Sequence, residues 1–209
     1  MSRDPRTQKT RTKIENCLIQ LLEKHSFQEI TVKMITETCQ INRSTFYRNY
    51  EDKYSLIAQV ACRLLEEYQT ALQPDFIILT DPDIVRLRPY FLPLIEFCNK
   101  NQRALSVLWD RELPVNLFES MLPLYSKQLL AVLERHHRLT GHALDIASYF
   151  SQVVASDVLI TIRWWYKRPA MGEEADFLQL LTSIITASPY QNIQREFSDH
   201  CCAAGEGAG

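Results

Sequence analysis

Glycine is nearly missing from this chain of 209 residues: there are five, and the first is Gly141. Ahead of Gly141 that excludes every phosphate cradle built on tight glycine turns, the GxxxxGK[ST] loop and the GxGxxG dinucleotide turn alike. A nucleophile elbow of the GxSxG kind is absent as well. The six cysteines, at 17, 39, 62, 98, 201 and 202, include no CxxC, and His136 and His137 lie in no metal-binding spacing such as HExxH. The thiols read as reduced, with Cys17, Cys39 and Cys62 placed on apolar helix faces as small core residues. No metal, no cofactor and no enzymatic chemistry are expected. No uninterrupted apolar run approaches the roughly 20 residues that span a bilayer, and MSRDPRTQKTR lacks the apolar segment of a secretory signal. A cytoplasmic protein that engages no membrane is expected.

At 46% hydrophobic the chain has enough apolar material for a full core. Its net charge of −2 conceals an asymmetry, because residues 1–60 hold ten Lys/Arg against seven Asp/Glu and the remainder thirteen against eighteen. A basic head joined to an acidic body fits a head that faces a polyanion.

Helical periodicity accounts for almost the whole length. Residues 1–11, with Arg3, Arg6, Lys9 and Arg11, read as a disordered basic arm suited to lie along phosphates or enter a minor groove. From Thr12, Ile14, Cys17, Leu18, Leu21 and Leu22 trace one face of a helix ending near His25. Thr31 is placed as N-cap of a second helix through Cys39, Gln40-Ile41-Asn42 as a turn, and Asn42 as cap of a two-turn helix Arg43–Tyr50. There Phe46 and Tyr50 face inward while Arg43, Ser44 and Tyr47 are left outside. Three helices with a short turn before the last make a helix-turn-helix, whose final helix enters a major groove.

The same geometry assigns roles. Arg43 and Ser44 are best placed for base edges, Arg being able to grip guanine bidentately. Thr45 and Tyr47 reach the backbone or a thymine methyl. Thr31, Lys33 and Lys53 are set for phosphates at helix starts, and Arg48 and Asn49 are further phosphate contacts, with Asn42 beside them.

A fourth helix starting at Glu51-Asp52 leads away from the head, and Pro74 with Thr80-Asp81-Pro82-Asp83 interrupts the pattern. Helices follow at Ile84–Asn99, Gln102–Arg111, Pro114 to about Leu139, Ala143–Lys167 and Glu173–Ala187. In the penultimate helix Phe150, Val154, Val158, Ile162 and Trp165 share a face, and a second apolar strip runs through Ile146, Val153 and Ile160. With Phe177, Leu181 and Ile184 of the last helix, the first face is expected to form a four-helix dimer interface. Residues 196–209 read as a disordered tail.

The stretch ITVKMITETCQINRSTFYRNYEDKYSLI resembles the DNA-binding region of the TetR family of bacterial one-component transcriptional regulators. Phe27, Thr31, Val32, Ile35, Cys39, Ile41, Ser44, Thr45, Phe46, Tyr47, Tyr50, Lys53 and Leu56 stand where that family places matching residue types. Gln40 and Ser44 stand where it usually has glycine, so this chain's operator cannot be copied from a relative. TIRWWYKRP further resembles a subgroup with an INRSTFY-type recognition helix. The resemblance implies an all-α protein: a head over 12–58, joined by the fourth helix to a body of about five helices over 59–195. It implies a homodimer on a palindromic double-stranded DNA operator, acting as a repressor released by a small-molecule effector. Tyr90, Phe91, Phe97, Trp109, Phe118 and Tyr125 are the candidates to line the effector pocket. Some members of the subgroup bind a protein partner in place of a small ligand.

Overall fold

The computed structural model of the chain describes residues 5–109, 112–168 and 174–186. The fold is all-α. Among the described residues there are α1 (Pro5–Leu22), α2 (Val32–Cys39), α3 (Arg43–Asn49), α4 (Lys53–Ala71), α5 (Ile84–Leu108), α6 (Leu117–His136), α7 (His142–Tyr166) and α8 (Glu174–Thr186), with a 3₁₀ turn at Pro74–Ile78.

α1 begins at Pro5, not at Thr12. Proline is unstrained in a first helical turn, and the Thr10 and Thr12 hydroxyls donate back to the carbonyls of Arg6 and Gln8 at 3.0 and 3.1 Å. The expected disordered arm is therefore corrected from residue 5 onward, while 1–4 and the expected tail 196–209 lie outside the described residues. The two helices expected at 84–99 and 102–111 are one, α5, which carries Pro89 and Pro93 inside it. The body accordingly has four described helices after α4, where about five were expected.

The chain divides into two compact units, Met1–Glu67 with Asn101–Phe118, and Tyr68–Lys100 with Glu119–Gly209. The first unit thus takes in α4 as far as Glu67, where the sequence suggested a boundary at 58. Its core is Ile14, Leu18 and Leu22 of α1, Phe27 and Ile30 of the connection, Ile35 and Cys39 of α2, Phe46 and Tyr50, and Leu56, Ile57, Val60 and Leu64 of α4. Cys17 and Cys39 are in that core, but Cys62 is exposed, because it follows Ala61 around α4 and turns away from the buried stripe.

In the second unit Tyr68 meets Phe97 and Tyr125 at ring-centroid distances of 5.9 and 6.5 Å, and Phe76 meets Phe91 at 5.0 Å. α7 is long and apolar enough to cross a membrane. Its Ala147, Val154, Val158 and Ile162, however, are buried in this protein's own core.

Gln40 is the only non-glycine described residue with positive φ, at φ 52° and ψ 53°. It closes α2 in a Schellman arrangement, its own N–H donating to Glu37 O at 3.1 Å and the N–H of Ile41 to Thr36 O at 3.0 Å. A side chain in this conformation is strained where glycine is not. Gln40→Gly should raise the unfolding free energy by about 0.5–1 kcal/mol in urea titration, the relief of strain outweighing the looser unfolded chain. No gain would show that the Gln40 side chain returns what its backbone conformation costs.

Candidate DNA-binding head

α3 is seven residues long, too short to persist in water by itself, so its position is set by what it buries. Phe46 and Tyr50 are fully buried, with ring centroids 5.9 Å apart, and the Tyr47 ring stands perpendicular to that of Phe46 with centroids 5.5 Å apart. Asn42, Arg43, Ser44, Tyr47 and Arg48 are exposed, as are Thr31 and Lys33 of the preceding helix, and Thr45 and Asn49 are half-buried. The inward and outward sides of α3 are those the spacing predicted, with Phe46 and Tyr50 inside and Arg43, Ser44 and Tyr47 outside.

Local hydrogen bonds refine the individual roles. The Thr31 hydroxyl accepts from the N–H of Met34 at 3.2 Å, a true N-cap that leaves the first amides of α2 pointing outward. Asn42 occupies the N-cap position of α3, yet its side chain makes no capping bond; only its carbonyl accepts, from Thr45 and Phe46. The expected side-chain cap is corrected, and Asn42 is exposed, as is Arg43 next to it in the chain. Asn49 donates to Thr45 O at 2.8 Å and is tied into its own helix. Lys33 pairs loosely with Glu37 at 3.8 Å, both side chains well exposed, a contact worth little in water.

Lys53 departs furthest from its expected role. Its ammonium donates to the carbonyls of Phe27 at 2.8 Å, Gln28 at 3.1 Å and Ile30 at 2.8 Å, and lies 4.7 Å from the Phe27 ring centroid. An ammonium has three N–H donors, and all three are engaged. Lys53 therefore pins the connection between α1 and α2 to the start of α4, and the phosphate contact expected of it is corrected to a structural tie.

A second polar feature escaped the sequence reading. Glu15, only 8% exposed, accepts the Tyr50 hydroxyl at Oε1, 3.1 Å, and Arg63 Nε at Oε2, 3.0 Å. Arg63 Nη1 continues to Glu67 Oε1 at 2.8 Å, and Asn101 Nδ2 donates to Glu67 Oε2 at 3.1 Å. Arg11 stacks 5.1 Å from the Tyr50 ring centroid and bonds Gln59. Burial, and after it the charge of Glu15, pushes the Tyr50 phenol up to about 12, so it remains a donor throughout the neutral range. The signal was present: Glu15 stands in register with Leu18, Ile19 and Leu22, an acid inside an apolar stripe.

Elsewhere the expected sites come apart. Of the eight dimer candidates, Val154, Val158, Ile162, Phe177 and Leu181 are buried within the protomer, and only Phe150, Trp165 and Ile184 are half-buried. The first apolar face of α7 is core, so the dimer assignment to it is corrected. What α7 exposes is Tyr149 at 63%, Ile160 at 57% and Trp164 at 38%, on the side of the second strip. Of the pocket candidates, Trp109 and Phe118 belong to the first unit and Tyr90, Phe91, Phe97 and Tyr125 to the second. Phe91, Leu94, Ile95 and Cys98 of α5 close against Ile162 and Tyr166 of α7 and Phe177 and Leu181 of α8, with no space between them for a water molecule. Of the six, only Phe91 lines that seam. Among the described residues no cluster of His, Cys, Asp or Glu could hold a metal ion.

No family model matches the chain. Over 173 residues it is 22% identical to an uncharacterized HTH-type transcriptional regulator, YxbF, of Bacillus subtilis (strain 168), a match covering 83% of this chain and 44% of that protein. The chain thus spans less than half the length of that curated relative. Among solved structures, the fatty acid degradation regulator FadR of Bacillus halodurans aligns with a TM-score of 0.59 at 11% identity, covering 90% of this chain and 98% of that one. The dihydroxyacetone kinase operon activator DhaS gives 0.55 at 16%, covering 91% and 97%. A TetR transcriptional regulator of Streptococcus agalactiae 2603V gives 0.52 at 21%, covering 86% and 95%. The fold, a helix-turn-helix followed by a helical body, is that of TetR-like regulator structures.

The reassignment of Lys53 has a direct check. Lys53→Met leaves three carbonyls without their cation and should lower the unfolding free energy by about 1–3 kcal/mol. In DNA titrations at rising salt, the same variant should keep the wild-type dependence of log affinity on log salt, because no phosphate contact is removed.

Proposed function

We propose that the chain is a homodimeric, sequence-specific DNA-binding transcriptional regulator, a cytoplasmic repressor with a head that reads a palindromic operator and a body that dimerises and receives the releasing signal. The observation that carries this reading is the two-sided α3, with Phe46 and Tyr50 buried and Asn42, Arg43, Ser44 and Tyr47 exposed side by side. Arg43 grips a guanine edge, Ser44 and Tyr47 contact neighbouring bases or phosphates, and Thr31, Lys33 and Arg48 hold the backbone. The regulator names of the relative and of the fold neighbours support it.

Two-fold symmetry follows from the operator, since two recognition helices must meet half-sites roughly 34–36 Å apart. The face available for pairing is the outer strip of α7, with Ile146, Tyr149, Val153, Ile160 and Trp164 at helical spacing and Arg168 stacked 4.5 Å from the Trp164 ring centroid. A second reading replaces the small effector by a protein partner. It is favoured by the closed seam among α5, α7 and α8, which offers a small molecule no ready space.

Gel-shift titration on DNA upstream of the chain's own gene tests the head: Arg43→Ala and Tyr47→Ala should each weaken binding by about tenfold or more, in line with roughly 1–3 kcal/mol per specific contact. Unchanged affinity in both variants would overturn the reading. For the body, Ile160→Glu or Trp164→Glu should reduce the mass seen by light scattering from twice 24.4 kDa to 24.4 kDa, with operator affinity falling alongside.

A further inference from the structure

We propose that Glu15, Arg63, Glu67 and Asn101, none of them facing DNA, form a positioning relay that fixes the orientation of the recognition helix through the Tyr50 hydroxyl. This rests on the DNA-reading role of α3. Apolar burial of Phe46 and Tyr50 holds α3 down, but hydrophobic contact is non-directional and tolerates rotation and sliding of a seven-residue helix. Hydrogen bonds fall off steeply with angle and distance, so a directional anchor is what converts a docked helix into an aimed one.

Tyr50 is the residue at which α3 ends, its N–H donating to Phe46 O at 3.0 Å and its hydroxyl to Glu15 at 3.1 Å. Glu15 in turn has little freedom. Its two oxygens are engaged from different directions, one by Tyr50 and the other by Arg63 at 3.0 Å, and the carboxylate is almost wholly buried. Arg63 spreads its planar fork between two acids, Glu15 on α1 and Glu67 on its own helix, so its plane is fixed as well. Asn101, on α5 and itself buried, completes the chain at the second oxygen of Glu67, 3.1 Å away. Glu15 is the buried charge of the series, and moving Tyr50 or Arg63 removes one of its partners, which is unfavourable; Arg63 and Glu67 are part-exposed and transmit a shift through their shared hydrogen bonds. A displacement of α5 at Asn101 is thereby carried through α4 and α1 to the end of the recognition helix.

The test uses the full chain and a duplex that the wild-type protein retains from a randomised pool. Glu15→Gln, Tyr50→Phe and Asn101→Leu each remove one link at nearly constant size. Each variant's affinity is measured for the selected duplex and for a scrambled one, at a temperature where circular dichroism shows the variant folded. The relay predicts a loss of at least about fivefold in the specific-to-nonspecific ratio for all three, within the range found for residues that couple sites at a distance. Nonspecific affinity, set by phosphate contacts, stays within about twofold. Asn101→Asp, which opposes a carboxylate to Glu67, should lose more than Asn101→Leu. A smaller loss than fivefold for Asn101→Leu, or equal losses in specific and nonspecific binding, would overturn the relay and leave these residues as packing. Failure of the wild-type protein to select any duplex would overturn the DNA-reading role itself, a separate outcome.

Discussion

A helix of seven residues with no tertiary support would melt, and this chain's most informative helix is that short. Everything exposed on α3 depends on Phe46 and Tyr50 being held underneath it. The head is built to hold them: α1 and α4 supply the apolar floor, Glu15 receives the one polar atom that Tyr50 carries inward, and Arg11 covers the ring. The exposed row from Asn42 to Arg48 is the consequence, since a helix fixed on one side has only its other side to offer.

The scarcity of glycine shapes how the rest of the head is tied. With Gln40 in the left-handed position, the turn before α3 relies on its two backbone bonds to Glu37 and Thr36. Where the chain passes from α1 to α2, the carbonyls of Phe27, Gln28 and Ile30 converge on a single ammonium, that of Lys53. Both devices use ordinary residues to fix a compact turn: the first sets how α3 leaves α2, and the second holds the start of α4 to the connection that leads into α2. A cation committed to carbonyls still leaves positive charge near the surface that Thr31 and Lys33 expose, while Arg43, Arg48 and Lys33 remain exposed.

The helices and the two-sided nature of α3 were legible because a 3.6-residue period and a short turn are local properties of the sequence. Boundaries were less so: Pro5 starts α1 and Pro89 and Pro93 sit within α5, since proline marks a helix start or a strained interior equally well until the flanking packing is known. Roles that depend on partners distant in sequence were not legible. Lys53 looked like a phosphate ligand because its carbonyl partners lie more than twenty residues earlier, and Asn101 gave no hint of Glu67. On α7 two apolar strips compete, and periodicity cannot say which one the protomer buries. The core took Val154, Val158 and Ile162, so the strip with Ile160 is the one left toward the outside.

The account stands on Arg43 reading a base from a helix aimed by what lies beneath it. Sequencing the duplexes retained from a randomised pool by the wild-type protein and by Arg43→Ala tests this most directly. The account predicts that the wild-type pool converges on an inverted repeat with a fixed guanine in each half, and that the Arg43→Ala pool keeps the repeat but loses preference at that guanine. Convergence of both pools on the same motif, guanine included, would contradict it.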